Sequence, residues 1–358
     1  MSESFKSSKK ISSEKIQKLD GIAFLSFPDQ KDFLLSELRS RFGIESQPDA
    51  VYGDLIFFEN SKWIATPTST ALRQARNDKE DTTLNDNELP YWARTVMLEP
   101  CIMRFESIGD AAGELKKIQR NWAPYQYTCF RRAELIQEKL PYINLKDKKF
   151  PTPIPSSPIG LYTLIDEHTM IFSAKTSSNI AAGKISFIED HENPPSRAYL
   201  KIQESLTLMN HLFGVEFPHA GQKCFEAGAC PGGWTWVLAN LGAEVFAVDR
   251  AELHPSLMKN PLVKFQAHDA FTLKPEEIGK VDWVFSDVIC YPERLLEWIH
   301  VWLDSGLVSN MICTIKMQGE INWDLIAEFA AIPNSHICHL NYNKHELTIL
   351  IHQPGETT

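Results

Sequence analysis

Beyond residue 196 the chain alternates between two periods. Five short apolar runs, "KCFEAG", "EVFAVD", "VKFQAHD", "VDWVFSD" and "NMICTIK", are separated by stretches of helical spacing such as "WTWVLANLG" and "PERLLEWIHVWLDSG". Short runs that are apolar on both sides read as strands covered on both faces. Strands and helices in regular alternation imply a doubly wound, mostly parallel sheet. The end, "HICHLNYNKHELTILIH", reads as two strands around a polar turn, which requires one antiparallel strand. A sheet of this kind binds its ligand at the carboxyl ends of its strands. A helix over 197–213, with Tyr199, Ile202, Leu206, Met209 and Phe213 on one face, precedes the first strand.

The 358 residues exceed one ordinary core and suggest about two or three domains. The clearest linker is "EDHENPPS" (189–196), acidic and then Pro-Pro. It divides a carboxyl-terminal half, 191–358, from a module over 19–190 that lacks the alternation. In that module "GIAFLSF" reads as a strand, "DQKDFLLSELRSRFG" as a helix closed by Gly43, and "DLIFFEN" with "KWIATP" as a hairpin. Residues 74–91 are polar and read as a loop. "TVMLEPCIMRFES" reads as a strand, "IGDAAGELKKIQRNWA" and "RRAELIQEKLP" as helices, and "GLYTLIDEHTMIFSAK" as two strands. This is α+β order. Residues 1–18, Ser/Lys-rich without an apolar core, read as a disordered basic tail and not as a secretory signal.

No apolar run reaches the roughly 20 residues of a membrane helix. Seven cysteines without a CxxC pair fit neither a zinc site nor a disulfide framework, so no metal is expected and a cytoplasmic setting is. The formal charge of −10 excludes a basic footprint over the whole protein, but a local patch suffices for nucleic acid. Basic residues gather at Lys116, Lys117 and Arg120, at Arg131 and Arg132, and at Lys146, Lys148 and Lys149.

The first strand runs into "FEAGACPGGWTW", with three glycines and a proline in twelve residues. A dinucleotide fold wants G-x-G-x-x-G, but Ala229 follows Gly228. A phosphate-binding loop wants G-K-[ST], but the chain has Gly232-Gly233-Trp234. The nucleoside loop of an S-adenosylmethionine methyltransferase needs close backbone approach and no phosphate cradle. Acids at successive strand ends favour this third reading. Asp249 falls about 20 residues past the first glycine, where an acid accepts from ribose hydroxyls. Asp269 is suited to an adenine amino group, and Asp287 ends the fourth strand. Helix capping explains one strand-end Asp readily and three in succession less so.

"EAGACPGGWT" resembles the D-x-G-x-x-P-G-G-[WF]-[TS] loop of the FtsJ-like ribose 2′-O-methyltransferases, and "SRAYLKIQE" (196–204) resembles that family's "SRA-x-x-K-L-x-E" helix. The resemblance covers roughly 196–352 and is strongest to the RlmM-type branch. It implies a Rossmann-like class I methyltransferase domain, mostly parallel with one antiparallel strand. It also implies an N-terminal α+β, ferredoxin-like or THUMP-like, RNA-binding module. The implied activity is ribose 2′-O-methylation of RNA, with large-subunit (23S) ribosomal RNA as partner. S-adenosylmethionine is the implied cofactor, bound by Glu226, Gly228, Cys230, Pro231, Gly232, Gly233, Trp234, Asp249, Asp269 and Asp287. Glu226 departs from the family's Asp but keeps a carboxylate. "MQGE" after Lys316 departs as well.

The family works with a Lys-Asp-Lys-Glu constellation. By motif position it falls on Lys201, Asp287, Lys316 and Glu346, with Lys316 expected as the general base. Locally, Lys201 lies off the apolar face of its helix, Asp287 and Lys316 end apolar strands, and Glu346 begins the last one. An antiparallel last strand begins on the catalytic edge, so all four are expected together. Removing a ribose proton as the bond forms is general-base work. A non-catalytic RNA-binding or assembly protein on the same fold is the alternative. The absence of an N-P-P-[YF] or D-P-P-[YF] sequence at "SDVICYP" disfavours methylation of amino groups. His268 and His345 are expected to be peripheral, and Trp234 and Trp236 to pack or, alternatively, to stack on a base.

Overall fold

The computed structural model describes residues 15–60 and 88–354. The expected strand "KWIATP", most of the polar stretch 74–91 and the first fourteen residues of the expected tail lie outside the described residues. Those described fold into two compact units, and the chain passes between them more than once. The first unit runs to Lys146 and includes Pro155–Ile185; the second comprises Asp147–Ile154 and the residues from Ser186 onward.

In the first unit the elements are β1 (Ile16–Lys18), β2 (Gly21–Ser26), α1 (Lys31–Phe42), β3 (Ala50–Tyr52), β4 (Leu55–Glu59), β5 (Ala93–Met97), β6 (Cys101–Arg104), α2 (Ile108–Ile118), β7 (Trp122–Pro124), α3 (Phe130–Lys139), β8 (Gly160–Leu164) and β9 (Thr169–Ser173). They form a sheet in the order β1-β6-β9-β8-β7 and another in the order β3-β4-β2-β5. The strand β1 pairs with β6, Ile16 opposite Met103, so the last residues of the expected tail are part of a sheet. The single strand expected over "TVMLEPCIMRFES" is two, β5 and β6, in different sheets. The break falls at Pro100, which has no N–H for a ladder. Ala111, Ala112 and Leu115 of α2 and Ala133 and Ile136 of α3 pack on Trp122, Tyr162 and Phe172. Ala23, Leu25, Leu55 and Phe57 pack on Leu161 and Ile171 between the two sheets. Lys116 and Arg131 are left on the exposed faces of α2 and α3.

In the second unit α4 (Tyr199–Phe213) leads into β10 (Lys223–Ala227), α5 (Gly233–Asn240), β11 (Glu244–Asp249), α6 (Pro255–Met258), β12 (Val263–Ala267), α7 (Pro275–Ile278), β13 (Val281–Ser286), α8 (Pro292–Ser305), β14 (Val308–Lys316), α9 (Trp323–Ala330), β15 (Ser335–Cys338) and β16 (Glu346–His352). The sheet order is β12-β11-β10-β13-β14-β16-β15. Pairing is parallel from β12 to β14, and β16 runs antiparallel to both its neighbours. This is an open, doubly wound arrangement of helices and a mixed sheet. The chain leaves β10 toward β11 and later returns to its other side with β13. The crevice at that switch point is where such sheets bind ligands.

Residue alternation in β10 sorts the two faces. Phe225 packs against Trp298 and Trp302 of α8, while Glu226 faces α5. Two findings differ from the expected boundary at 191. The segment 147–154 belongs to the second unit, where Lys148 bonds Ser186 and Ile188 through its backbone and Phe150 packs edge-on against Phe187 and Phe217. Lys148 therefore does not share a unit with Lys116 and Arg131. The acidic stretch at 189–196 is also no free linker. The Asp190 N–H donates to the Tyr199 hydroxyl at 2.7 Å, and the Asp190 carboxylate accepts from the Glu192 and Asn193 N–H groups.

Candidate active site

The loop after β10 is shaped by what a side chain would hit. Gly228 has φ 76°, a conformation L residues rarely adopt, and a Cβ there would lie 2.7 Å from Val288 Cγ2 and 3.0 Å from its backbone nitrogen. A Cβ at Gly233 would meet Ser196 Oγ at 2.5 Å and Tyr199 N at 3.2 Å, so glycine lets α5 start hard against α4. The loop is held from the next strand: Asp249 Oδ2 accepts from the Cys230 N–H at 3.0 Å and Oδ1 from the Ala251 N–H at 3.1 Å. Pro231 and the α5 N-cap Gly232 complete the turn. Burial and the Asp249 carboxylate push the Cys230 thiol up.

Asp269 caps the turn after β12, accepting from the Phe271 N–H at 3.1 Å. It also pairs with Arg250 at 2.8 Å and Arg294 at 3.5 Å. Burial alone raises its carboxyl, but the Phe271 N–H and the two guanidiniums bring it below the usual range. Trp234 packs: its indole N–H donates to the Ala198 carbonyl at 3.0 Å and its ring sits edge-on to Phe285. Trp236 meets Tyr199 in the same way.

Four charged side chains, three from α4, β14 and β16 and one just past the end of β13, form one network. Lys201 Nζ of α4 lies 2.8 Å from Glu346 Oε1 and 3.4 Å from Asp287 Oδ1. Lys316 Nζ lies 2.9 Å from the same Asp287 oxygen. The sheet aligns them: Lys316, last in β14, is in register with Glu346, first in β16. The Asp287 N–H bonds the Ala227 carbonyl at 3.3 Å, tying its position to the end of β10. Lys201 is not on an outward face as its spacing suggests, because nearly all of α4 from Tyr199 to Thr207 is buried. Its side chain is 10% exposed and donates to two carboxylates; that of Lys316 is 22% exposed and is ion-paired with one. Burial raises the Glu346 carboxyl, yet the Lys201 ammonium and the Lys344 and His345 N–H groups hold it below its ordinary value.

With this geometry in view, residues 194–319 match the family model of the FtsJ-like methyltransferases. Over that stretch the chain is similar to the FtsJ-like methyltransferases. Relatives agree. A protein named Ribosomal RNA large subunit methyltransferase M from Xylella fastidiosa is 37% identical over 131 residues, 36% of this chain and 37% of that protein. One of the same name from Hahella chejuensis is 30% identical over 218 residues, 60% of this chain and 52% of that protein. The chain thus spans about half or less of the length of the curated relatives it matches. Among solved structures, TrmN from Thermus thermophilus aligns over 93% of this chain and 99% of its own at 12% identity. Its TM-score of 0.32 is too low to bear on function.

Several features of the site carry no signal in the sequence read alone, among them the burial of the expected Glu226 and its partner Thr235. Glu226 is buried, and its Oε2 accepts from the Thr235 hydroxyl at 2.6 Å. The threonine of the "PGGWT" motif was the available clue. Burial, seconded by the carboxylates of Asp287 and Asp249, pushes the Glu226 carboxyl up to about 8 against the Thr235 bond. Arg250, Arg294 and Val288 were likewise not foreseen. Among the histidines, His268 bonds Thr272 and the backbone N–H of His345 bonds Glu346, both at the margin. The buried histidine is His339. Burial lowers it to about 4, while the Lys344 carbonyl and Glu346 pull the other way.

The raised Glu226 value has a consequence for stability. The folded state holds a proton that the unfolded chain, near 4.5, releases. That contribution is fully present below the unfolded value and is lost as pH rises through about 8. Between about pH 5 and pH 9 the melting temperature of the wild type should fall more than that of Glu226→Gln, whose amide keeps the shape and does not titrate. Parallel curves for the two proteins would remove the assignment.

Proposed function

We propose that the chain is an S-adenosylmethionine-dependent ribose 2′-O-methyltransferase acting on RNA, with large-subunit ribosomal RNA as substrate. The observation that carries this reading is the convergence of Lys201, Asp287, Lys316 and Glu346 beside a glycine loop that lies in the stretch similar to the FtsJ-like methyltransferases. The residues present fit the cofactor. The loop over 228–233 offers bare backbone, and the edge around it is acidic. The carboxylates of Asp249 and Asp287 lie near enough to Glu226 to oppose its ionisation, a crowding of negative charge that a cation would relieve. Gly228, Cys230, Pro231, Gly232 and Gly233 would flank the methionine portion, with Asp249 toward the ribose and Asp269 toward the adenine. When bound, the cofactor supplies an electrophilic methyl group on a sulfonium.

The protein's part is alignment and proton removal. Lys316 accepts the proton of the ribose hydroxyl as the oxygen becomes nucleophilic. Asp287 is ion-paired with both lysines and sets their spacing. Lys201, clamped between Asp287 and Glu346, orients the hydroxyl and offsets the carboxylate charge. Delivery of RNA falls to the first unit, whose exposed Lys116 and Arg131 are suited to phosphates, although Arg131 also pairs with Glu134.

The test is transfer of labelled methyl groups from S-adenosylmethionine to large-subunit ribosomal RNA of cells lacking this protein. Label is expected on ribose, at a linkage that resists alkali because a methylated oxygen cannot attack its phosphate. Rising salt should abolish RNA labelling before it affects cofactor binding, as phosphate contacts require. Label on a base would overturn the reading. Cofactor-independent RNA binding with no transfer would favour a non-catalytic assembly protein.

A further inference from the structure

The segment joining Asp287 to α8 is built to hold two apolar side chains in solvent. Cys290 is buried, while its neighbours on either side point out: Ile289 is 80% exposed and Tyr291 66%. The backbone around them is fixed. The Asp287 N–H is bonded to Ala227, Pro292 opens α8, and the Tyr291 carbonyl accepts from the Leu295 N–H at 3.3 Å. Isolated exposed apolar residues are ordinary. Here two of them flank an anchored residue within four positions of Asp287, on the edge that carries the charged network. Among the described residues of the second unit, Tyr291 is the aromatic side chain left largely exposed. The other candidates are engaged: Trp234 and Trp236 pack on Phe285 and Tyr199. Phe271 is stacked on Trp298 and covered by Arg294.

We infer that Tyr291, flanked by Ile289, is a stacking platform for an unpaired nucleobase of the RNA substrate. This rests on the reading of the domain as an RNA ribose methyltransferase. For a ribose hydroxyl to reach Lys316, the base on the adjacent sugar carbon must lie beside the catalytic edge. A base there has left its own stack and exposes a π-face to water. Single-stranded RNA is commonly held by aromatic rings that cover such faces without reading sequence. An exposed tyrosine on an anchored backbone, four residues after Asp287, supplies one. Ile289 extends the apolar surface.

The test uses the full chain and a fluorescein-labelled oligocytidylate, compared with an oligomer of the same length carrying abasic sugars. The wild type is expected to favour the base-bearing oligomer by about tenfold, the scale of one base–aromatic stack. Tyr291→Ala should lose that preference and Tyr291→Phe should keep it. The side chain is exposed, so neither substitution should disturb folding, which a thermal melt checks. A 5-iodouridine oligomer, irradiated on the wild type, should cross-link to the peptide containing Tyr291. A preference that survives Tyr291→Ala, or cross-links confined to other peptides, overturns the platform. Cofactor affinity, measured by calorimetry on the same proteins, reports separately on the methyltransferase reading.

Discussion

Lys316→Met should slow methyl transfer by roughly 10²–10⁴-fold, the usual contribution of a general base, while S-adenosylmethionine still binds. Methionine keeps the length of the side chain and removes the amine. Lys316 ends β14 with its Nζ 2.9 Å from Asp287, and it is the more open of the two lysines in the network. Lys201 is held by two carboxylates on a buried helix and has less room to take up a new proton donor. Lys316→Arg separates charge from basicity. Arginine can still pair with Asp287, but it stays protonated and cannot accept a proton. Transfer should therefore fail in the arginine variant as well. Retained turnover there would make Lys316 an orienting group and move the base to Lys201 or to a water held by Asp287. Single-turnover rates at saturating cofactor, alongside calorimetric affinity, distinguish the outcomes.

The four residues of this network were legible because topology and motif point to the same place. Asp287 and Lys316 end apolar runs, and an antiparallel last strand returns Glu346 to the same edge. Strand ends are recoverable from pattern because each is a local change from apolar to polar. Burial is not local. Lys201 looked outward from its own helix, yet α4 is covered along most of its length by neighbours distant in sequence. The buried state of Glu226 depends on α5 lying across β10, and the pairing of Asp269 on arginines from two different segments. The division of the chain was obscured for the same reason. A composition shift at 189–196 marked a boundary, but nothing in "DKKFPTPI" signals that this stretch joins the second unit through Lys148 and Phe150. The strand at Ile16–Lys18 is three residues long and is recognisable only by its pairing with β6.

Gly228→Ala should lower methyl transfer by about 10²-fold although no charged group of the site is altered. Alanine at φ 76° is strained from the outset. Its Cβ would lie 2.7 Å from Val288 Cγ2 and 3.0 and 3.1 Å from the Val288 nitrogen and Cα. The methyl end of Val288 can turn aside, but its backbone cannot yield without carrying along Asp287, the residue before it. Asp287 is in turn bonded to Ala227, the residue before Gly228, so the loop and the carboxylate are pressed apart at a single point. A displacement of the order of 1 Å in a group that aligns reactants can cost about 10²-fold in rate. Cofactor affinity should fall too, since the same residue shapes the 228–233 loop. Val288→Ala in the Gly228→Ala background removes the closest of the three contacts and leaves the backbone ones, so partial recovery is the expected result. Undiminished turnover and affinity in Gly228→Ala, with an unchanged melting temperature, would mean that the loop relaxes without moving Asp287. The glycine would then serve only the turn.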